Sequence, residues 1–171
     1  MQELAVLLHE WERWAAELME SHLSYPVLCY FRSQHDNQSW LAALTTVLDA
    51  CALVIVGVEQ APLWQARLTF AMARHAVVDI AQIFKTAPLT PDCCSSRLSS
   101  SDLVRVRQIL ESHGTRLHDG EDTEQRLLEL RLLYEPYVFA LSEFLMMPLP
   151  PWVLGPDAID NWKTSAWGRI Q

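Results

Sequence analysis

Glycine is scarce in this chain, five in 171 residues, too few for the many tight turns of a β-sandwich. Alternation of apolar and polar residues is missing too. Half of the residues are hydrophobic, and they recur at steps of three and four, which is helical spacing. Lysine is rarer still: eleven of the thirteen basic residues are arginine, against 21 acidic ones, for a formal charge of −8. Nucleic-acid binding needs clustered cations that release counterions from phosphates, so nucleic acid is not an expected partner. The same shortage argues against direct binding to anionic lipid.

The four cysteines, Cys29, Cys51, Cys93 and Cys94, form no CxxC pair and no disulfide-framework spacing. They fit free thiols in a reducing cytosolic compartment. Cys93 and Cys94, beside Pro91 and Asp92, offer a soft metal site as an alternative to a plain loop with two spare thiols. No GxSxG turn, GxGxxG or GxxxxGK[ST] loop, HExxH or ExxH pair occurs. The chain therefore shows no machinery for nucleophilic catalysis, phosphate cradling or zinc hydrolysis, and is not expected to be an enzyme or to carry a cofactor.

No signal peptide is expected at the start, because Glu3, His9, Glu10, Glu12 and Arg13 interrupt its apolar residues. Trp40 to Val58 alone has the length of a membrane span. It carries Asp49 near its middle, which costs roughly 3 kcal/mol on insertion scales, so it is expected to be a buried helix of a soluble domain.

The apolar spacing predicts one all-α domain: a bundle of about five helices over residues 2–22, 37–58, 63–84, 100–112 and 121–146, with an extended Pro/Trp-rich arm over 148–171. Asp36, Asn37 or Ser39 can cap the second helix with a side-chain oxygen. Along it Leu41, Leu44, Leu48, Cys51, Ile55 and Val58 form a seam, and the smaller Ala42, Thr45, Asp49, Ala52 and Val56 form a second face. The third helix is apolar nearly all round, which predicts burial on several sides and a central place. The proline- and serine-rich stretch from Lys85 to Ser101 is expected to be a loop or boundary, and Ser99 with Asp102 to cap the next helix. DGEDTE from Asp119 sets negative charge where the dipole of the last helix favours it, and Pro136 should kink that helix. Trp152, Trp162 and Trp167 are expected to pin the arm.

Within the apolar hairpin of the second and third helices stand Asp49, Arg67, Arg74, His75 and Asp79, read as a buried polar cluster. Buried charges must find partners or neutralise, so Asp49 is expected to pair with Arg67 or Arg74 across the hairpin while Asp79 orients His75 four residues away. Asp79→Ala should then cost a few kcal/mol. The alternative is a metal- or ligand-binding bundle built on His75, Asp79 and Asp49, completed by Glu17, His22 or His35.

Four runs carry a family resemblance: WERWAAELMESHLSYPVLCYFRSQHDNQSWLAAL from Trp11 to Leu44, LTFAMARHAVVDIAQIF from Leu68 to Phe84, LYEPY from Leu133 to Tyr137, and DNWKTSAW near the end. Together they resemble the C-terminal cytosolic region of bacterial potassium-channel-like membrane proteins, in which two transmembrane helices and a re-entrant pore loop precede a helical domain. The resemblance implies a non-enzymatic assembly or regulatory domain on the cytoplasmic side of the inner membrane, with the pore portion of its own parent protein as partner and a homo-oligomeric parent. This chain itself holds no TxGxG-like filter.

Overall fold

The computed structural model describes residues 2–31, 39–89 and 97–155. Six α-helices run in order: α1 (Gln2–Ser24), α2 (Trp40–Gly57), α3 (Leu63–Ile83), α4 (Ser100–Ser112), α5 (Glu121–Leu132) and α6 (Glu135–Leu145), with a 3-10 helix at Pro26–Tyr30. Among the described residues β-pairing is limited to one isolated bridge, Val58 with Leu117. The all-α bundle expected from the spacing is therefore present.

The long last helix expected over 121–146 is two helices. Pro136 has no N–H to bond the carbonyl of Leu132, and its ring crowds that carbonyl. α5 accordingly stops at Leu132, and α6 restarts with Pro136 in its first turn. The other helix ends follow local chemistry. Ser39 caps α2 by accepting from the Ala42 N–H. Ser99 and Asp102 form a reciprocal capping box on α4, satisfying two backbone donors that the helix leaves open.

Three helices point the same way. Thr69 Oγ1 on α3 donates to the Leu8 carbonyl on α1 (2.8 Å), while Tyr30, just past α1, packs against Phe84 just past α3. Similarly Tyr134, before α6, meets Phe70, and Phe144 near the end of α6 meets Phe84. α2 returns between them through the short 58–62 turn and packs on α3, α5 and α6. Its leucine seam is sealed: Leu41, Leu44, Leu48 and Cys51 have no exposed surface, and the small face with Ala42, Thr45 and Ala52 is buried as well.

α2, rather than α3, is thus the most enclosed helix. On α3 the buried stripe is Ala66, Phe70, Ala73, Val77 and Ile80, at steps of three and four, while Trp64, Arg67 and Leu68 face outward. α2 is also the one helix among the described residues long and apolar enough to cross a membrane, but most of it is covered by the rest of the bundle.

At the far end of α2 the bridge fastens the α4–α5 connection, with His118 N–H donating to Gly57 O (3.0 Å) and Glu59 N–H to Arg116 O (3.0 Å). Gly57 admits no side chain here, since a Cβ would lie 2.8 Å from His118 Cδ2. From Met146, whose left-handed backbone ends α6, the chain doubles back along that helix to Trp152. Trp152 is packed against the core as expected of the arm. Trp162, Trp167, His35, Asp36, Asn37, Cys93 and Cys94 lie outside the described residues.

Candidate functional site

The five polar residues of the predicted cluster do not come together. Asp49 is buried in the core. Arg67 is exposed, and Arg74 is half-buried with its Nε donating to the Leu133 carbonyl (2.9 Å). His75 and Asp79 do pair, at 3.1 Å, but with side chains 64% and 31% exposed they form a surface contact one helical turn long. The reason is rotational. Mostly apolar residues fill the inward stripe of α3, Arg67 and Arg74 flank it, and His75 and Asp79 lie on the side away from it.

Asp49 finds its partners elsewhere. Arg97, immediately ahead of α4, donates from Nη1 to Asp49 Oδ1 (3.2 Å) and to Glu135 Oε1 (3.0 Å), and from Nη2 to Asp49 Oδ2 and the Pro150 carbonyl (3.1 Å). Arg131 Nε donates to Glu135 Oε1 (3.1 Å), with Nη2 3.1 Å from Oε2. The Tyr134 hydroxyl donates to Asp49 Oδ1. Trp152 lies against both cations, its ring centre 5.7 Å from the Cζ of Arg97 and 5.7 Å from that of Arg131.

Each element delivers one part. The small face of α2 leaves room for a carboxylate at Asp49, and the break forced by Pro136 sets Arg131, Tyr134 and Glu135 around the α5–α6 joint. The capping box that begins α4 at Ser99 fixes the chain just after Arg97, and the reversal at Met146 returns Pro150 and Trp152 to the same place.

Electrostatically the cluster closes on itself: two guanidiniums face two carboxylates, all almost wholly buried. Burial pushes the Asp49 carboxyl above the usual carboxylate range, against the opposing pull of Arg97 and the Tyr134 hydroxyl. Burial also works against the charge of Arg97, but Asp49, Tyr134 and Glu135 outweigh it and hold the guanidinium more firmly protonated than a free arginine. Burial, reinforced by the carboxylates of Asp49 and Glu135, pushes Tyr134 well above the ordinary tyrosine value. Two buried donors, Arg97 Nε and Trp152 Nε1, have no hydrogen-bond partner among the described residues.

Comparison with protein-family models, curated proteins and solved structures found no match.

Of the metal alternative, His75 and Asp79 pair on the surface of α3 while Asp49 is buried in the core. Among the described residues no group of three His, Cys, Asp or Glu side chains is placed to hold a metal ion. Glu17 contacts Arg13 on the surface of α1. His22 turns Nδ1 to the Leu18 carbonyl (2.9 Å) and its ring to Trp40, and burial lowers its pKa. A groove of about 450 Å³ runs beside the cluster between the start of α4 and α5, lined by Leu98, Leu103, Leu127, Arg131 and the acidic Glu121 and Glu124.

What the cluster does is join four stretches of chain far apart in sequence. Arg97 sits in the stretch read as a loop or boundary, so composition concealed it. Arg131 and Glu135 carried a readable signal, opposite charges four residues apart in an otherwise apolar segment.

Proposed function

We propose that this chain is a non-enzymatic cytosolic assembly or regulatory domain of a bacterial potassium-channel-like membrane protein. The observation that carries the non-enzymatic part is the closed cluster around Asp49. A catalytic centre keeps a donor, acceptor or nucleophile facing a space that substrate can enter, whereas here Asp49, Glu135, Arg97 and Arg131 are directed at one another.

The channel part rests on the resemblance of the runs from Trp11 to Leu44, Leu68 to Phe84 and Leu133 to Tyr137. Those runs also supply the body of the bundle: α1 and the start of α2, the inward stripe of α3, and the Tyr134–Glu135 joint. Its partners on this reading are the pore portion of the parent protein and further copies of itself, on the cytoplasmic face of the inner membrane.

The test is the coding sequence upstream of Met1. An in-frame stretch with two apolar spans around a filter-like loop, and loss of ion flux or of subunit assembly when residues 1–171 are deleted from the full-length protein, are the expected results. A stop codon directly upstream with a separate ribosome-binding site would overturn the reading.

A further inference from the structure

Residues 147–152, MPLPPW, run back over the buried charge cluster with little backbone bonding to hold them. Pro148, Pro150 and Pro151 have no N–H to give. Among the described residues Met147 alone in this stretch has a bonded N–H, which donates to the Ser142 carbonyl (3.0 Å), and Ser142 Oγ donates in return to the Met147 carbonyl (2.6 Å). The Pro150 carbonyl accepts one bond from Arg97 Nη2 (3.1 Å). The remaining attachment is through side chains: Met147 is fully buried, and Leu149 and Trp152 pack against the core.

Beneath Trp152 this arrangement leaves two donors unsatisfied. Arg97 Nε and Trp152 Nε1 are buried with no hydrogen-bond partner among the described residues, and both belong to one contact, since the Trp152 ring centre lies 5.7 Å from Arg97 Cζ. Laying the indole over Arg97 and Arg131 buries a large ring and sets it against two cations. Taking water from two donors without replacing it works against that gain. Lifting the ring returns water to the indole N–H and opens the Arg97 side of the contact.

The rest of the cluster does not depend on this stretch. Arg97 is bonded to Asp49 of α2 and Glu135 of α6, Arg131 to Glu135, and Tyr134 to Asp49. None of these bonds involves residues 147–152, so the helices stay in place when the stretch lifts. Openings of this local kind cost less than global unfolding where a segment has few backbone bonds and few buried side chains.

We propose that residues 147–152 form a strap that opens and closes over the Asp49–Arg97–Glu135–Arg131 cluster while the helices remain folded, with Trp152 as its catch. Opening uncovers the face of Arg97 and Arg131 that the indole covers. The enclosure of the cluster is thereby adjustable from the C-terminal side of α6. The inference stands apart from the channel reading and is tested without it.

The experiment is amide hydrogen exchange of residues 1–171 followed by NMR at several urea concentrations below the unfolding transition. The Met147 N–H, bonded and buried when the strap is closed, is compared with those of Leu44 and Leu48 in α2. Met147 is expected to exchange about 100-fold faster or more than the α2 amides, with little dependence on urea, because a local opening exposes little new surface. Trp152→Ala should speed Met147 exchange about tenfold or more, and Trp152→Phe, which keeps a ring over the guanidiniums, by less than about fivefold. Tyr134→Phe should speed the α2 amides about fivefold or more by lowering global stability, and leave Met147 within about twofold. Met147 exchange that matches α2 in rate and urea dependence overturns the proposal, since the stretch then opens only on unfolding. So does Met147 exchange indifferent to Trp152→Ala, which is fraying of the end of α6 alone.

Discussion

Asp49 with Arg97 and Asp79 with His75 are both pairs of an acid and a base in the same helical bundle, and they do opposite things. The first is buried, links α2 to a segment before α4, and shares its partners with Tyr134 and Glu135. The second is a single turn of α3 facing water. A charge pair in water gains little, because solvent screens it and both side chains lose freedom. A buried pair is desolvated at high cost, so each member becomes indispensable once the other is in place. The difference lies in what surrounds the residues rather than in their identity.

Removing one member of the buried set should break the comparison most sharply. Asp49→Ala leaves Arg97 facing Glu135 and Arg131 with one carboxylate too few, and should lower unfolding free energy by about 3–5 kcal/mol in urea titration. Replacing Asp49 and Arg97 together by Leu and Met should cost clearly less than the sum of the single changes. Additivity would mean that the two are not coupled.

Trp152 separates packing from hydrogen bonding within the same cluster. Trp152→Ala should cost about 2–3 kcal/mol, through lost burial and lost contact with two guanidiniums. Trp152→Phe keeps a ring over the cations and gives up an N–H that has no partner among the described residues, so it should cost about 1 kcal/mol or less. Equal losses from both would show that the indole N–H matters more than the ring face.

Tyr134 gives the cluster a pH signature. Its folded pKa is raised, so the stability it contributes is complete below the ordinary tyrosine value of about 10 and is lost as pH rises above it. Urea midpoints between about pH 9 and 11 should fall in the native chain and fall less steeply in Tyr134→Phe. At neutral pH that variant should lose about 1–2 kcal/mol with its hydrogen bond to Asp49.

The smallest effect belongs to the surface pair. Asp79→Ala should change stability by no more than about 0.5 kcal/mol, not by the few kcal/mol expected of a buried residue. A loss as large as that of Asp49→Ala would erase the contrast.

Legibility in the sequence follows the range of the interactions. Most helix bodies and the Ser99–Asp102 cap depend on residues within a turn of each other and could be read, whereas Pro136, read as a kink within one helix, separates α5 from α6. The inward stripe of α3, Ala66, Phe70, Ala73, Val77 and Ile80, was also present in the sequence. It was masked because Leu63, Trp64 and Leu68 make the outward side apolar as well. The partner of Asp49 was not legible, since Arg97 stands 48 positions away in a serine- and proline-rich stretch without helical periodicity.

By itself the sequence determined the helical class, the approximate helix bounds and the presence of a charge that the α2 core must satisfy, because backbone propensity and the 3.6-residue period act locally. Only the tertiary structure decided which charges would be enclosed together. Burial depends on how helices rotate and cross, and a one-position turn of α3 would have exchanged Arg67 for Ala66. The same packing left Tyr30, Phe84 and Phe144, from three separate elements, side by side at one end of the bundle.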